Sequence, residues 1–264
     1  MTRILSGAVL LAVVGGAIAW MPSWIVLILA CVIAAVAIVE FVSLVQSTAP
    51  PVSRGVTVIA TLAVCVAAAW PYPALGPVIM AVVLVQAALA VAQAGVGADT
   101  VSRVSVSVFG PLYVGLPPGA IAGVHWTAGR AAALILIAVI AISDTAQYYT
   151  GRLAGRRPLA PALSPKKTVE GAVGGLVAGS LALIVLGHWG WPDTPLWLRA
   201  SLGIALVLLG ITGDLFESML KRGIGVKDSS ALIPGHGGVL DRIDSVLFAA
   251  PVYYVVLRFA MREL

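Results

Sequence analysis

Charge is what this 264-residue chain has least of. Only 10% of its residues are Asp, Glu, Lys or Arg, against about 25% in a soluble domain. With 60% hydrophobic residues, this scarcity excludes a disordered chain, a coiled coil and an ordinary water-soluble enzyme, because only a lipid-facing surface tolerates so few charges. Cysteine is nearly absent. Cys31 and Cys65 sit inside apolar runs and form neither a CxxC pair nor a disulfide framework. Internal repeats and low-complexity tracts are also lacking. What is abundant is glycine, at 28 residues, together with seven Trp. In a membrane bundle small residues permit close helix packing and Trp favours the interfaces.

A helix crossing a bilayer needs about 20 mostly apolar residues. Nine candidate segments begin near Ile4, Ser23, Val56, Ala74, Val104, Ala131, Gly171, Leu196 and Ile243. They predict an all-α, polytopic transmembrane bundle of about nine spans. The first follows Arg3 and shows no small-residue cleavage site before Trp20-Met21-Pro22, so it reads as a retained helix and not a signal peptide. The third is short and closes on Trp70-Pro71-Tyr72-Pro73. The fifth, with Gly115 and Pro117-Pro118, is the segment least suited to a helix, since each Pro removes a backbone donor.

Alternating loops put Arg3, Arg54, Arg103, Arg152, Arg156, Arg157, Lys166, Lys167, Lys221, Arg222, Lys227 and Arg242 on one side of the membrane. Arg130, Arg199, Arg258 and Arg262 fall on the other. Basic residues favour the cytoplasmic face. The expectation is an integral protein of a bacterial cytoplasmic membrane, with its N-terminus and the loops 150–170 and 219–243 inside. The net charge of +5 then reflects topology and anionic membrane lipids, with no nucleic acid partner.

The acids divide the chain. Residues 1–140 hold Glu40 and Asp99 alone, whereas residues 141–245 hold Asp144, Glu170, Asp193, Asp214, Glu217, Asp228, Asp241 and Asp244. Residues 1–130 therefore read as helices for packing and lipid contacts, and residues 131–264 as the catalytic region. Ionisable residues in apolar helices are costly and point to function. Asp214, Glu217, Ser218 and Lys221 recur at i, i+3, i+4 and i+7 on one helical face. The plainer alternative there is a solvated face with an Asp214 or Glu217 pair to Lys221. Gly235, Gly237 and Gly238 flank His236, and such a turn can form an anion nest. Asp241 and Asp244 follow at i, i+3. With Asp214 from the preceding helix they form a hard oxygen set suited to Mg²⁺, although either alone could serve as a helix cap. A second cluster, Asp144, Gln147 and Tyr148, shares one face of the sixth span. Lys166 and Lys167 lie beside a Pro-fixed turn and a helix start, where they can reach a polyphosphate. Gly171, Gly175 and Gly179 form a packing seam.

These residues resemble the phosphatidate cytidylyltransferases, or CDP-diacylglycerol synthases. The family signature is matched by Ser218, Lys221, Arg222, Lys227, Asp228, His236, Gly237, Gly238, Asp241, Arg242 and Asp244. Upstream, Asp144, Tyr148, Gly151, Gly155, Leu159, Ala160, Pro161, Ser164, Pro165, Lys167, Thr168, Glu170 and Gly171 are also similar, while Gln147 stands where a small residue is expected. The resemblance covers roughly residues 140–250. It implies that phosphatidic acid attacks the α-phosphate of CTP, giving CDP-diacylglycerol and pyrophosphate. It further implies a homodimer and a Mg²⁺-dependent two-metal site, whose second ion is divalent or monovalent. The metal ligands are then Asp214, Asp241 and Asp244. Lys221, Arg222 and Lys227 neutralise the triphosphate, and Lys166 and Lys167 hold the nucleotide or the lipid headgroup. Ser218 contacts phosphate or metal, His236 fixes the turn or binds phosphate, and Asp228 pairs with Arg242 in a structural role. A transporter would show inverted repeats and midplane charges, and neither is visible. The D-G-x-x-A-R…G-x-x-x-D-x-x-x-D pattern of CDP-alcohol phosphatidyltransferases is missing. A non-enzymatic scaffold would not need so complete a signature.

Overall fold

The structure, a computed structural model, describes residues 12–46, 48–70, 74–93, 97–230, 232 and 237–263. Arg3 and the start near Ile4 lie outside the described residues, and so does His236. A helix over 12–20, here α1, is followed by α2 (Ser23–Val45), α3 (Arg54–Ala69), α4 (Leu75–Ala92), α5 (Thr100–Gly110), a π-turn (Pro111–Gly115) and α6 (Leu116–Thr127). Then come α7 (Gly129–Ala154), α8 (Val169–Gly190), α9 (Leu196–Gly223) and α10 (Leu240–Glu263). Among the described residues six helical stretches are long and apolar enough to cross a membrane, with Thr100–Thr127 counted as one. The 16-residue α3 is apolar but shorter. The bundle is therefore all-helical as expected, with six of the nine anticipated spans meeting that criterion.

Helix starts follow local chemistry. Pro22 and Pro195, in extended conformation, precede α2 and α9. Ser53 caps α3 by accepting from the Val56 N–H at 3.4 Å. Thr168 caps α8 through the Gly171 N–H at 3.1 Å, with Glu170 in the first turn.

One expectation holds and one changes. The fifth candidate segment is helical even with Pro117 and Pro118, because a π-turn precedes them. The carbonyls that two prolines leave without i+4 donors, those of Tyr113 and Val114, fall in that turn, where the hydrogen-bond ladder already shifts. The loop 150–170 is not all loop. α7 runs to Ala154, and β1 (Pro158–Ala160) pairs antiparallel with β2 (Ser164–Thr168). Prolines at 158, 161 and 165 bias this stretch toward extended backbone. Likewise α9 continues to Gly223, which shortens the loop expected over 219–243.

The glycine seam packs as anticipated. A Cβ at Gly171 or Gly175 would collide with Gln147, and one at Gly179 with Val207 and Ser143. Gln147, the departure from the family pattern, thus fits because Gly175 makes room for it. The opposite face of α8 shows Val173, Val177, Leu181 and Val185, each about half exposed, as a lipid-facing stripe would be. A second seam, Gly115, Gly119 and Gly123, brings α6 against the backbone of α3 at Thr61, Cys65 and Ala68. One core cluster joins Val26, Ala34, Cys65 and Ala120 to Leu136, Leu183, Leu206 and Tyr253, so both chain segments share a core.

His125 is buried. It is hydrogen-bonded to Ser23 Oγ at 2.9 Å and to the Ile18 carbonyl at 3.0 Å. Cys31 Sγ lies 3.9 Å from Cys65 Sγ, and both thiols are free.

Candidate active site

Two helix ends and two loops build the polar end of the bundle. At 28 residues, α9 is about 42 Å long, more than the ~30 Å hydrocarbon core. It is therefore longer than a crossing requires, and its last turns bear Asp214, Glu217, Ser218 and Lys221. A Cβ at Gly213 would strike the Asp244 carbonyl, so the two helices are in near backbone contact where the acids emerge.

Lys221 is buried between two carboxylates. Its Nζ donates to Glu217 Oε1 at 2.9 Å and to Asp241 Oδ1 at 2.5 Å. The pair to Glu217 foreseen as the plain alternative does form, and Asp241 joins it. Asp241 Oδ2 accepts from the Ser229 N–H at 2.9 Å, the Ser229 hydroxyl at 2.8 Å and the Gly238 N–H at 2.7 Å. Gly237 has φ of +75°, and a side chain there would run into the Asp241 carboxylate. From the glycine turn the Gly238 N–H thus meets an anion, and that anion is the chain's own Asp241. A carboxylate offers about four lone-pair sites. Oδ2 is fully engaged, and Oδ1 keeps room for one more contact.

Asp214 forms an ion pair with Lys167. β2 delivers that lysine, while Lys166, next to it on the strand, is exposed. The hairpin is tied down by Glu170, whose Oε2 accepts from the N–H groups of Arg156 at 3.0 Å and Arg157 at 3.2 Å. Asp144 on α7 accepts from Gln147 Nε2 at 3.1 Å and faces Asp214 electrostatically. Asp244 is within electrostatic reach of Asp214, Asp144 and Lys221. Asp144, Asp214 and Asp244 thus come within electrostatic reach of one another from α7, α9 and α10, with Lys167 paired to Asp214 and Lys221 within reach of Asp244.

Other predicted residues sit further out. Tyr148 is exposed, and its Oη accepts from Arg152 at 3.2 Å. Ser218 is half-buried on α9. Arg222, Lys227 and Arg242 are exposed, and Arg222 donates to the Val226 carbonyl at 2.8 Å. The expected Asp228–Arg242 pair is absent among the described residues. Both side chains are exposed, so water can serve each of them.

Sequence reasoning missed Glu40. It is 5% exposed and accepts from the Val239 N–H at 3.0 Å, the Leu240 N–H at 2.8 Å and the Ser230 hydroxyl at 2.7 Å. It caps α10 from α2, some 200 residues away. The available signal was its isolation, as the single acid in an apolar span. Tyr113, from the π-turn, was also missed. It is buried in an aromatic cluster with Phe41, Phe109, Phe216 and Phe248, within electrostatic reach of Glu217 and Asp244.

The donor set at Asp144, Asp214 and Asp244 is all oxygen, as a hard cation requires. Among the described residues no three His, Cys, Asp or Glu side chains form a ready cage for a metal ion. Mg²⁺ commonly takes one or two carboxylates and completes its shell with water and substrate phosphates, so these residues fit it.

The chain is 44% identical over 124 residues to the phosphatidate cytidylyltransferase of Staphylococcus saprophyticus, a match covering 47% of this chain and 48% of the relative. It is 46% identical over 136 residues to that of Synechocystis sp., covering 50% and 45%. It is 41% identical over 140 residues to phosphatidate cytidylyltransferase 4, chloroplastic, of Arabidopsis thaliana, covering 52% and 35%. In these matches the chain spans about half the length of the curated relatives, or less. A profile of the cytidylyltransferase family matches residues 1–260, and the chain belongs to that family.

Proposed function

We propose that the chain is a phosphatidate cytidylyltransferase. A phosphate oxygen of phosphatidic acid attacks the α-phosphorus of CTP, the bond from that phosphorus to the β-phosphate bridging oxygen breaks, and CDP-diacylglycerol and pyrophosphate result. The observation that carries this reading is the convergence of Asp144, Asp214 and Asp244 with Lys167 and Lys221 at one end of an apolar bundle, in a chain of this family.

The nucleophile is already an anion, so no strong base is needed. The difficulty is electrostatic: two anions must meet, and catalysis of this type is largely positioning and charge neutralisation. Asp214 and Asp244 would hold Mg²⁺, with Asp144 beside them and Asp241 adding the one position that Lys221 leaves on Oδ1. A second cation, divalent or monovalent, would share the set. Bound there, Mg²⁺ would lend positive charge to the phosphates as their charge shifts. Lys167, paired with Asp214 in the structure, would be free to turn to a phosphate with a cation on that carboxylate. Lys221 stays fixed between Glu217 and Asp241 and adds a permanent positive charge below the site. Exposed Lys166, Arg222, Lys227 and Arg242 attract the triphosphate from water. Ser218 and His236 are assigned to phosphate contacts, and Gly237 and Gly238 shape the turn around Asp241. Tyr148, at the outer end of α7, is placed to meet the lipid headgroup. The concentration of basic residues at this end supports an active site facing the cytoplasm. The family resemblance supports a homodimer, which cross-linking in native membranes would reveal.

The test is an assay of the purified full chain with phosphatidic acid and each nucleoside triphosphate in turn, following pyrophosphate and CDP-diacylglycerol. CTP should support product formation, EDTA should stop it, and Mg²⁺ should restore it. Equal use of all four nucleotides would overturn the cytidylyl assignment, and turnover insensitive to chelation would overturn the metal assignment.

A further inference from the structure

A cavity of about 290 Å³ opens at the other end of the bundle, between the α8–α9 connection and the C-terminal half of α10. Trp191, Asp193, Leu198, Arg199, Leu202 and Leu257 line it. Arg199 lies fifteen residues before Asp214 on α9, about 22 Å along the helix, so the cavity is separate from the carboxylate site.

Arg199 is only 9% exposed. No carboxylate pairs with it among the described residues. Its buried Nε has no partner, and Nη1 makes one long bond, 3.4 Å to the Ile184 carbonyl. Gly187 cradles the stem: a Cβ there would stand 3.0 Å from Arg199 Cδ. A buried guanidinium without an anion is costly, and its planar fork of donors matches phosphate oxygens. Leu198, Leu202 and Leu257 make the walls apolar, which suits an amphiphile better than a free anion. Trp189 and Trp197 flank the cavity, 73% and 69% exposed, as aromatic side chains do at a membrane interface. Asp193 is exposed beside the opening, where it suits an ammonium carried next to the phosphate.

We infer that this cavity binds the headgroup of a zwitterionic phospholipid, with the phosphate on Arg199, the ammonium toward Asp193 and the acyl chains against the leucines. The site is independent of the nucleotidyl-transfer reading.

The test uses the delipidated full chain in detergent and reads the thermal-unfolding midpoint on titration with phosphatidylethanolamine, diacylglycerol of the same chains, or inorganic phosphate. Phosphatidylethanolamine should raise the midpoint saturably, and the other two should not. Arg199→Gln should weaken the apparent affinity about tenfold or more, the effect of losing a charge-assisted hydrogen bond. Leu198→Trp, which fills the cavity and keeps the charge, should do the same and decides the matter if Arg199→Gln fails to fold. A wild-type response in both variants overturns the site. A full response to inorganic phosphate overturns the lipid in favour of a small-anion site, and a full response to diacylglycerol overturns any role for the phosphate.

Discussion

Two groups of carboxylates meet at the polar end of the bundle, and the protein treats them differently. Glu40 and Asp241 are largely satisfied: each accepts several hydrogen bonds from residues 229–240, and Asp241 also holds Lys221. Asp144, Asp214 and Asp244 face one another across three helices, with Lys167 as the one direct ion-pair partner among the described residues. A carboxylate satisfied by backbone donors works as scaffold. Carboxylates left to repel each other are disposed to take up a cation. Position in the signature does not separate the two groups, because Asp241 and Asp244 are three residues apart on one helix. What they touch does.

The largest effect that follows is for Asp214→Asn. Removing an electrostatic contact used at the reacting phosphates should lower CDP-diacylglycerol formation by roughly 10²–10³-fold. The unfolding midpoint should hold or rise, since a like-charge repulsion is relieved. Retained activity with lost stability would put Asp214 in the scaffold group and erase the distinction.

Next is Lys221→Met, which leaves Glu217 and Asp241 buried without their cation. Breaking a buried pair from one side costs about 3–5 kcal/mol, readable as a loss of folded protein in detergent. Adding Glu217→Gln to this variant should recover part of the loss. If the double variant were no better than the single, the buried lysine would not be compensating those carboxylates.

Glu40→Gln comes third. It keeps the shape and weakens the cap on α10, at a cost of about 1–3 kcal/mol. At temperatures where the variant is folded, its KM for CTP should match the wild type. A large kinetic defect in fully folded protein would move Glu40 into the chemistry.

The sequence discloses these groups unevenly. Helix starts at Ser23 and Leu196 agree with the structure because a Pro precedes each, and Pro acts within a residue or two. The Asp214–Lys221 face is equally legible, since a 3.6-residue period is local. The hairpin at 158–168 escaped notice because its strands are three and five residues long, too short for an alternation pattern. The segment through Pro117 and Pro118 was legible as a candidate span, but the π-turn that accommodates its prolines was not, because that turn depends on packing against α3. Glu40 could not be joined to the site by spacing at all, as its partners lie 189–200 residues away. The same holds for Asp241: its backbone hydrogen bonds come from Ser229 and Gly238 together, a property of the folded turn.

The smallest effect concerns how Lys167 is delivered. Thr168 caps α8 through Gly171, and its methyl fills the space that a Cβ on Gly155 would need. One hydroxyl therefore fixes the helix start, and one methyl fixes the end of α7 against the hairpin. Thr168→Ala should cost about 1 kcal/mol of stability through the lost cap. Because Lys167 is the preceding residue, the loosened hairpin should also raise KM for CTP roughly twofold to fivefold with little change in kcat, the pattern of weakened uniform binding. Thr168→Ser restores the cap but not the methyl contact. If the serine variant recovers stability while KM stays high, the lysine is positioned by the packing between α7 and the hairpin; if both recover together, the cap alone positions it.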